Sequence, residues 1–390
     1  MHLSESARAV FAVLAAAGTA TRPQLAAVAR LSKPTVSSAV AELEAAELAE
    51  CSGTVSGATG RSAAVYGLGP AAGAVLAVDL GPAVTRVRGC ALDGTLLAEG
   101  TGTRPDAADV VRHVLKELPT GAPLRAVVVA VGDVITQDAE GAGARPATAK
   151  AGPLFDAMAV ALPPGVPVHV ENNVNCAALA ELHEGAARGR DTFGYLRIGV
   201  GIGLGVVIGG QVLRGANGAA GEVARLPYPW DGDREPRREG LEEHIGARSL
   251  LRRAADAWQD ADGPCPRTAE RLFALAGEGH ATARTAVGRH AAEIGRLAAA
   301  AAAVLDPGLI VLGGAIGADP QLLPGVRAEL ARLSWPTEVV NSALGESGTV
   351  VGAARLAVAR GIETVTGGVE AKPRPESGFQ TVTGGVRVKH

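Results

Sequence analysis

Apolar side chains recur at helical spacing in the first seventy residues, with short polar breaks between the runs. A helix is predicted over residues 4–17, and Gly18 ends its pattern. Thr21 and Gln24 form a capping-box pattern at the start of a second short helix. After a break, Ser32 is placed to cap a third helix. Two short helices joined by a tight turn are typical of a helix-turn-helix.

A hairpin is predicted after the third helix. The stretch "LAECSGTVSGATGRSAAVYGL" contains strand, glycine-rich turn and strand, with Arg61 at the tip. Such a hairpin is typical of a wing whose arginine reaches a minor groove. The alternative is an ordinary helical subdomain with a hairpin, but the order of elements favours a winged helix-turn-helix over residues 1–70. The residues predicted to contact DNA are Arg22, Ser32, Lys33, Thr35, Ser37, Ser38 and Arg61.

From residue 71 the pattern changes to strands. Three consecutive strands, a helix and a buried strand are predicted up to "LRAVVVAVG", and strands with glycine-rich connections return at "FGYLRIGVGIGLGVVIGGQVLRG". A helical block then leads into "GLIVLGGAIG". This order predicts two α/β lobes of related build with a cleft between them. Glycines at the strand ends would let backbone amides approach a phosphate there.

Composition narrows the class of protein. The 390 residues are enough for two or three domains, and the cores must be built mainly from aliphatic side chains, because 47% of residues are hydrophobic but only 3% aromatic. A formal charge of −3 excludes a globally basic coat for nucleic acid. The four cysteines form no C-x-x-C pair, which indicates free thiols. Without a signal-peptide pattern or a long apolar run, a cytoplasmic protein with no membrane partner is predicted.

Several motifs carry a resemblance to a known family. They are "VDLG", "ENNVNCAALAE", "GANGAAGEVARL", "GLEEH" and "DPGLIVLGG", and the order and spacing of "GANGAAGE" and "DPGLIVLGG" are the most specific signal. The chain resembles the ROK family (repressors, open reading frames and sugar kinases), in the subgroup with an N-terminal winged helix. The resemblance runs from about residue 4 to residue 361.

The resemblance implies an α/β protein with a defined domain order. An N-terminal winged helix-turn-helix (1–70) would be followed by a two-lobed actin-like/ribonuclease H-like ATPase fold (71–365). Lobe one would comprise about 71–175 plus the end of the helical C-terminus, and lobe two about 176–345. Residues 366–390, in which TVTGGV occurs twice, are predicted to be a disordered tail.

The chain departs from the family kinases at three places. Asn173 stands where they have the carboxylate that acts as general base, and an amide cannot take a proton near neutral pH. Pro82 removes a backbone N–H from the first phosphate loop, and Val200 removes a hydroxyl from the second. These losses predict a catalytically inactive kinase-like domain, a pseudokinase that is not an enzyme and has no cofactor.

The family's zinc site is predicted to be absent, because Arg225 stands in place of its histidine and no cysteine follows nearby. By resemblance, the residues expected to bind a sugar are Asn172, Asn173, Glu222, Arg225 and Glu242. A buried Arg225 must be paired. Its partner would be either an internal acid such as Glu222, which is favoured, or a carboxylate or phosphate on the ligand.

Three functions remain in view. The leading hypothesis is a sugar-responsive transcriptional repressor that binds operator DNA at an inverted repeat, as a homodimer or dimer of dimers. One alternative is an active ROK sugar kinase that carries a DNA-binding domain. The other is a regulator whose large domain is only an oligomerisation scaffold without a small ligand.

Overall fold

The structure, a computed structural model, describes residues 3–56, 62–137, 144–146, 152–229 and 233–367. The chain divides into two units. Unit 1 comprises Met1–Ala130, Ala151–Val170 and Ala353–His390, and unit 2 comprises Val131–Lys150 and Glu171–Gly352. Arg61 and residues 368–390 of the predicted tail (366–390) lie outside the described residues. The predicted start of the tail is wrong, because a helix (Gly348–Thr366) continues to Thr366, which is buried.

The N-terminal part of unit 1 contains three helices and a small antiparallel sheet. The helices are α1 (Glu5–Ala17), α2 (Arg22–Ala29) and α3 (Lys33–Ala45), and the strands are β1 (Thr19–Thr21), β2 (Ala49–Ser56) and β3 (Ser62–Leu68) in the order β1-β3-β2. The predicted helix starts are confirmed. The Thr21 backbone N–H donates to Gln24 Oε1 at 2.8 Å, and the Thr35 backbone N–H donates to Ser32 Oγ at 3.3 Å.

The connection from β3 to the next sheet is held by Arg125. Its Nε donates to the carbonyl oxygen of Ala72 at 2.9 Å, and its Nη2 donates to that of Ala71. The Ala71 N–H in turn donates to the carbonyl oxygen of Glu47 at 2.9 Å. Because these bonds satisfy backbone groups on both sides of the connection, the helical part is fastened to the α/β part of the same unit.

A five-stranded sheet forms the rest of unit 1. Its strands are β4 (Ala74–Leu80), β5 (Val84–Ala91), β6 (Leu96–Thr103), β7 (Leu124–Val131) and β10 (Val168–Asn172), in the order β10-β7-β4-β5-β6. The helices that accompany it are α4 (Ala107–Glu117), α5 (Gly152–Ala159) and most of α13 (Gly348–Thr366). Every residue of β4 is buried, including Asp79.

Unit 2 contains a second five-stranded sheet and a hairpin. The hairpin pairs β8 (Ile135–Gln137) with β9 (Ala144–Pro146). The sheet strands are β11 (Phe193–Ile198), β12 (Ile202–Ile208), β13 (Gln211–Val212), β14 (Leu309–Gly313) and β15 (Glu338–Asn341), in the order β13-β12-β11-β14-β15. Both large sheets therefore place their strands in the same order, third, second, first, fourth and fifth. This shared strand order agrees with the related build that the sequence predicts for two α/β lobes.

The helices of unit 2 pack through small residues. They are α6 (Asn173–Glu184), α7 (Gly240–Ile245), α8 (Ala247–Ala257), α9 (Ala269–Gly277), α10 (Ala281–Leu305), α11 (Gly314–Gly317) and α12 (Leu323–Leu333). A Cβ atom at Gly295 of α10 would lie 2.7 Å from Glu329 Cβ, and one at Gly325 of α12 would lie 2.7 Å from Ala291 Cβ. Glycine is therefore needed where α10 and α12 touch. No described helix has the length and apolarity that crossing a membrane requires.

A neutral histidine is buried in this helical core. His290 of α10 is 0% exposed, and neither of its ring nitrogens has a hydrogen-bond partner among the described residues. Burial lowers the pKa of His290 to about 3, with a further decrease from the nearby Arg253 guanidinium and from His244, against an opposing effect of Glu293. Folding therefore excludes the protonated form of this side chain.

We expect His290→Leu to flatten the dependence of stability on acid pH. The unfolded chain protonates this histidine below its ordinary pKa of 6.5, whereas the folded chain stays neutral down to about 3, so stability is lost as pH falls through this window. Leucine also removes two buried ring nitrogens that have no hydrogen-bond partner among the described residues. Each such unsatisfied group lowers the free energy of unfolding by about 1–3 kcal/mol. Urea unfolding at pH 7 and pH 5 measures the effect. His113→Leu, on an exposed position of α4, is the control, and parallel pH profiles for His290→Leu and wild type would contradict the assignment.

Candidate functional site

The junction between β10 and α6 presents a run of polar residues. Asn172 is the N-cap of α6, and its Oδ1 accepts hydrogen bonds from the backbone N–H groups of Val174 at 2.8 Å and Asn175 at 3.3 Å. Its Nδ2 donates to the carbonyl oxygen of Asp133 at 3.0 Å. The Asn172 side chain is thus mainly engaged in shaping the turn.

Glu171 fixes the same turn from the strand side. It is 5% exposed, and its Oε1 accepts from the Asn172 backbone N–H at 2.9 Å and from Asn175 Nδ2 at 3.0 Å. Its Oε2 accepts from Arg214 Nε at 2.8 Å and Nη2 at 2.6 Å. Four hydrogen bonds therefore hold a buried carboxylate that carries its charge next to a guanidinium.

Asn173 differs from its neighbours. It is 3% exposed, and among the described residues no hydrogen bond is made by its side-chain amide, although its backbone carbonyl accepts from Thr349 Oγ1 at 3.4 Å. Gly132 borders the amide, since a Cβ atom there would lie 3.4 Å from Asn173 Nδ2. Buried amides in native proteins are normally hydrogen-bonded, so this one is suited to meet a ligand with both a donor and an acceptor.

Three carboxyl groups form the second part of the site. Glu222 precedes a 3₁₀ turn (Val223–Arg225), and Glu242 lies on α7, where its Oε2 accepts from the Ile202 backbone N–H at 3.3 Å. Burial raises the pKa of Glu222, Arg225 opposes this increase, and the negative charges of Asp133 and Glu242 add to it. These groups therefore share one electrostatic environment within unit 2.

Arg225 is paired within the protein. Its Nε lies 3.7 Å from Glu222 Oε2, and both side chains are about one third exposed or less, at 36% and 27%. Of the two pairings considered for Arg225, this internal one is the pairing in the structure. No three His, Cys, Asp or Glu side chains in the described parts of the chain form a group that could hold a metal ion.

Asp133 joins the two parts of the site. Its carbonyl oxygen accepts from Asn172, and its carboxylate raises the pKa of Glu222. The sequence reasoning missed three residues here, Asp133, Glu171 and Arg214. A signal existed for Asp133, which stands just past the carboxyl end of the apolar strand β7. No sequence signal pairs Glu171 with Arg214, because 43 positions separate them.

The residues predicted to contact DNA differ in exposure. Ser32, Lys33, Ser37 and Ser38 are exposed at and near the start of α3. Thr35 is partly buried, and its hydroxyl lies 2.7 Å from the Ser32 hydroxyl. Arg22 is partly engaged within the protein, since its guanidinium carbon lies 4.9 Å from the centre of the Tyr66 ring and its Nη2 lies 3.9 Å from Glu44 Oε2. The remaining predicted contact, Arg61, is outside the described residues.

The fold and this site define a sugar-kinase-like α/β protein. The family model of the ROK family matches residues 75–360, and the chain therefore belongs to the ROK family.

Curated relatives of the chain are named as enzymes. The bifunctional enzyme NanE/NanK of Brucella melitensis is 33% identical over 207 residues, 53% of this chain and 38% of that protein. The N-acetylmannosamine kinase of Salmonella typhi is 34% identical over 181 residues, 46% of this chain and 60% of that protein. The chain thus spans between about two fifths and three fifths of the length of these relatives.

Solved structures share the fold. A ROK family transcriptional regulator, a homologue of the E. coli Mlc protein, matches with a TM-score of 0.70 and 21% identity, over 92% of this chain and 97% of its own. A ROK family glucokinase from Streptomyces griseus, in complex with glucose and AMPPNP, matches with a TM-score of 0.59 and 25% identity, over 73% of this chain and 99% of its own.

The prediction that the chain is not an enzyme is contradicted by these comparisons, because its curated relatives and the Streptomyces griseus glucokinase are sugar kinases. That prediction rested on Asn173, Pro82 and Val200, each judged at its own position. The carboxyl groups of Asp133, Glu222 and Glu242 lie in one environment, so the absence of an acid at residue 173 does not leave the site without carboxylates.

Proposed function

We propose that this chain is a sugar-responsive, DNA-binding member of the ROK family, in which residues 1–70 form a winged helix-turn-helix. The observation that carries the proposal is the exposed N-terminal part of α3, with Ser32, Lys33, Ser37 and Ser38 next to a capped helix start. Helix N-termini and short hydroxyl side chains are typical contacts to DNA phosphates. The likeness to the regulator, which covers 92% of the chain against 73% for the glucokinase, supports the same proposal.

A single winged helix of this composition is expected to bind DNA weakly. Its acidic residues Glu42, Glu44, Glu47 and Glu50 follow the basic start of α3, so the favourable charge is confined to a small patch. Two copies would double the number of phosphate contacts and give the complex two-fold symmetry. The operator is therefore expected to be an inverted repeat.

We expect the full chain to select an inverted repeat from a random DNA library, with half-sites about one or two helical turns apart. Lys33→Ala should weaken binding to the selected site and reduce the salt slope by about two, because each of the two copies loses one phosphate contact. Fluorescence anisotropy at several salt concentrations measures both quantities. Lys116→Ala, on an exposed position of α4, is the matched control. Selection of a single unsymmetrical half-site, or unchanged binding by Lys33→Ala, would argue against this role.

The ligand of the ROK domain is proposed to be a neutral hexose. Asn173 offers an amide without a hydrogen bond among the described residues, and Glu222 and Glu242 offer acceptors for hydroxyl groups. Since Arg225 is already paired with Glu222, its guanidinium is not reserved for an anionic group on the ligand. An added phosphate would instead meet the carboxylates of Asp133, Glu222 and Glu242.

We therefore expect glucose to stabilise the protein more than glucose 6-phosphate does. A ligand present at about 100 times its dissociation constant adds about 2.7 kcal/mol to the free energy of unfolding, which thermal unfolding detects. Arg225→Ala should keep the order of preference. A preference for the phosphate in wild type that disappears in Arg225→Ala would show that Arg225 binds the ligand. No shift with any sugar would favour the scaffold alternative.

Phosphorylation of the bound sugar is a second candidate function. The kinase relatives favour it, and so does Glu222, because a carboxyl group with a raised pKa is suited to accept a proton from a hydroxyl group. The substitution at Asn173 then requires another group to act as base.

We expect release of ADP from ATP to depend on glucose or N-acetylmannosamine if this second function holds, and to be lost in Glu222→Gln. A glutamine keeps the size of the side chain but cannot accept the proton. Coupled detection of ADP with each sugar measures the rate. Glu278→Gln, exposed at the end of α9, is the control. Equal sugar-dependent rates in wild type and Glu222→Gln would exclude Glu222 as the base, and no sugar-dependent rate in wild type would leave sugar binding as the function.

A further inference from the structure

Two chain segments that carry candidate ligand contacts are joined by one ion pair. Glu171 directly precedes Asn172 and Asn173, and Arg214 begins the loop that leads to Glu222. We propose that Arg214 is a positioning residue, which holds the Asn172–Asn173 turn through Glu171 and thereby sets the affinity of the site for its ligand. The part of this proposal that concerns ligand affinity rests on the proposed sugar-binding function.

In the ion pair between Arg214 and Glu171, the guanidinium contacts only one of the two carboxylate oxygens. Both Nε and Nη2 of Arg214 donate to Glu171 Oε2, while Oε1 is left to the backbone N–H of Asn172 and the side chain of Asn175. The Glu171 side chain is 6% exposed and that of Arg214 is 48% exposed. The arginine therefore orients the carboxylate from outside, and the carboxylate orients the turn from inside.

Arg214 is itself held at its backbone. Its carbonyl oxygen accepts from the Ala220 N–H at 3.0 Å, which closes the loop from residue 214 to Gly221. Gly221 has φ +79°, and a Cβ atom there would lie 1.7 Å from the carbonyl oxygen of Leu204, so the end of the loop has little freedom. The Arg214–Glu171 ion pair therefore links the fixed loop that leads to Glu222 with the turn that contains Asn173. We call this link the brace.

Removal of Arg214 would leave the Glu171 carboxylate buried without this cation. A buried charge that loses its partner reorients, takes up a proton or admits water. Each of these responses weakens the bonds to Asn172 and Asn175 and loosens the turn that presents the Asn173 amide. Lysine at position 214 would restore the positive charge but not the two N–H donors that the planar guanidinium directs at Glu171 Oε2.

Arg214 is half exposed, so a direct contact with the ligand is the competing explanation. A double-mutant cycle separates the two roles. If Arg214 acts through Glu171, the effect of Arg214→Ala on affinity should largely vanish in a Glu171→Gln background. A direct ligand contact would keep its full effect in that background.

The first test needs no ligand. Amide hydrogen exchange of the full chain, followed on the peptide that contains residues 168–181, reports the bonds of the turn. We expect exchange at Asn172 and Val174 to be about tenfold faster or more in Arg214→Ala, and partly restored in Arg214→Lys, where a factor of ten corresponds to about 1.4 kcal/mol. Arg190→Ala removes an exposed ion pair with Glu338 and should leave this peptide unchanged. Unchanged exchange in Arg214→Ala would overturn the positioning role.

The second test measures the dissociation constant of glucose by calorimetry in wild type, in the two Arg214 variants and across the cycle with Glu171→Gln. We expect a loss of about tenfold in Arg214→Ala, with partial recovery in Arg214→Lys. Full additivity of the Arg214 and Glu171 effects would overturn action through Glu171. If wild type binds no glucose but the exchange result holds, the proposed sugar-binding function fails while the brace itself stands.

Discussion

The compensation of one buried carboxylate shapes the candidate site. Glu171 lies near the end of β10, just before α6 begins, and its charge is desolvated there. The Arg214 guanidinium and two other hydrogen-bond donors, the Asn172 backbone N–H and Asn175 Nδ2, offset that cost. Because these donors come from the turn itself and from the distant Arg214 loop, satisfying the carboxylate also sets the relative position of the two segments. Asn173 is then presented with an amide that no other described side chain or backbone group engages.

A second constraint is the scarcity of aromatic residues. With 3% aromatic side chains, the core of unit 2 relies on close approach of helices rather than on large side chains. Glycine and alanine bring α10 and α12 together, and the buried part of α10 includes Ala298, Ala301 and Ala302. Such a closely packed core leaves no room for water, so a buried polar side chain such as His290 lowers the free energy of unfolding when it finds no hydrogen-bond partner among the described residues. His290 remains neutral for this reason.

The two proposed functions, regulation and catalysis, make different demands on the charges within one site. Asn173 supplies a neutral contact where a carboxylate would accept a proton, while Glu222 keeps a carboxyl group whose pKa is raised by burial. Arg225 partly offsets that increase through its ion pair with Glu222. A hexose bound between these groups would meet acceptors and donors in pairs, whether or not phosphoryl transfer follows. Family membership alone does not separate the two outcomes, since ROK structures include both a regulator and kinases.

The sequence by itself determined the helix starts, the strand runs and the family, because caps, turns and apolar periodicity act between residues a few positions apart. Ser32, Thr21 and Gln24 illustrate this, and the motif around Glu222 predicted the region of the candidate site. Only the tertiary structure decided which charges meet. The pairing of Glu171 with Arg214, the approach of Asp133 to Glu222 and the packing of Arg22 on Tyr66 join residues far apart in the chain. Such contacts depend on how strands and loops are brought together, and local pattern carries no information about them. The prediction of inactivity is contradicted by the kinase relatives, and of the carboxylates at the site it left out only Asp133, whose charge raises the pKa of Glu222.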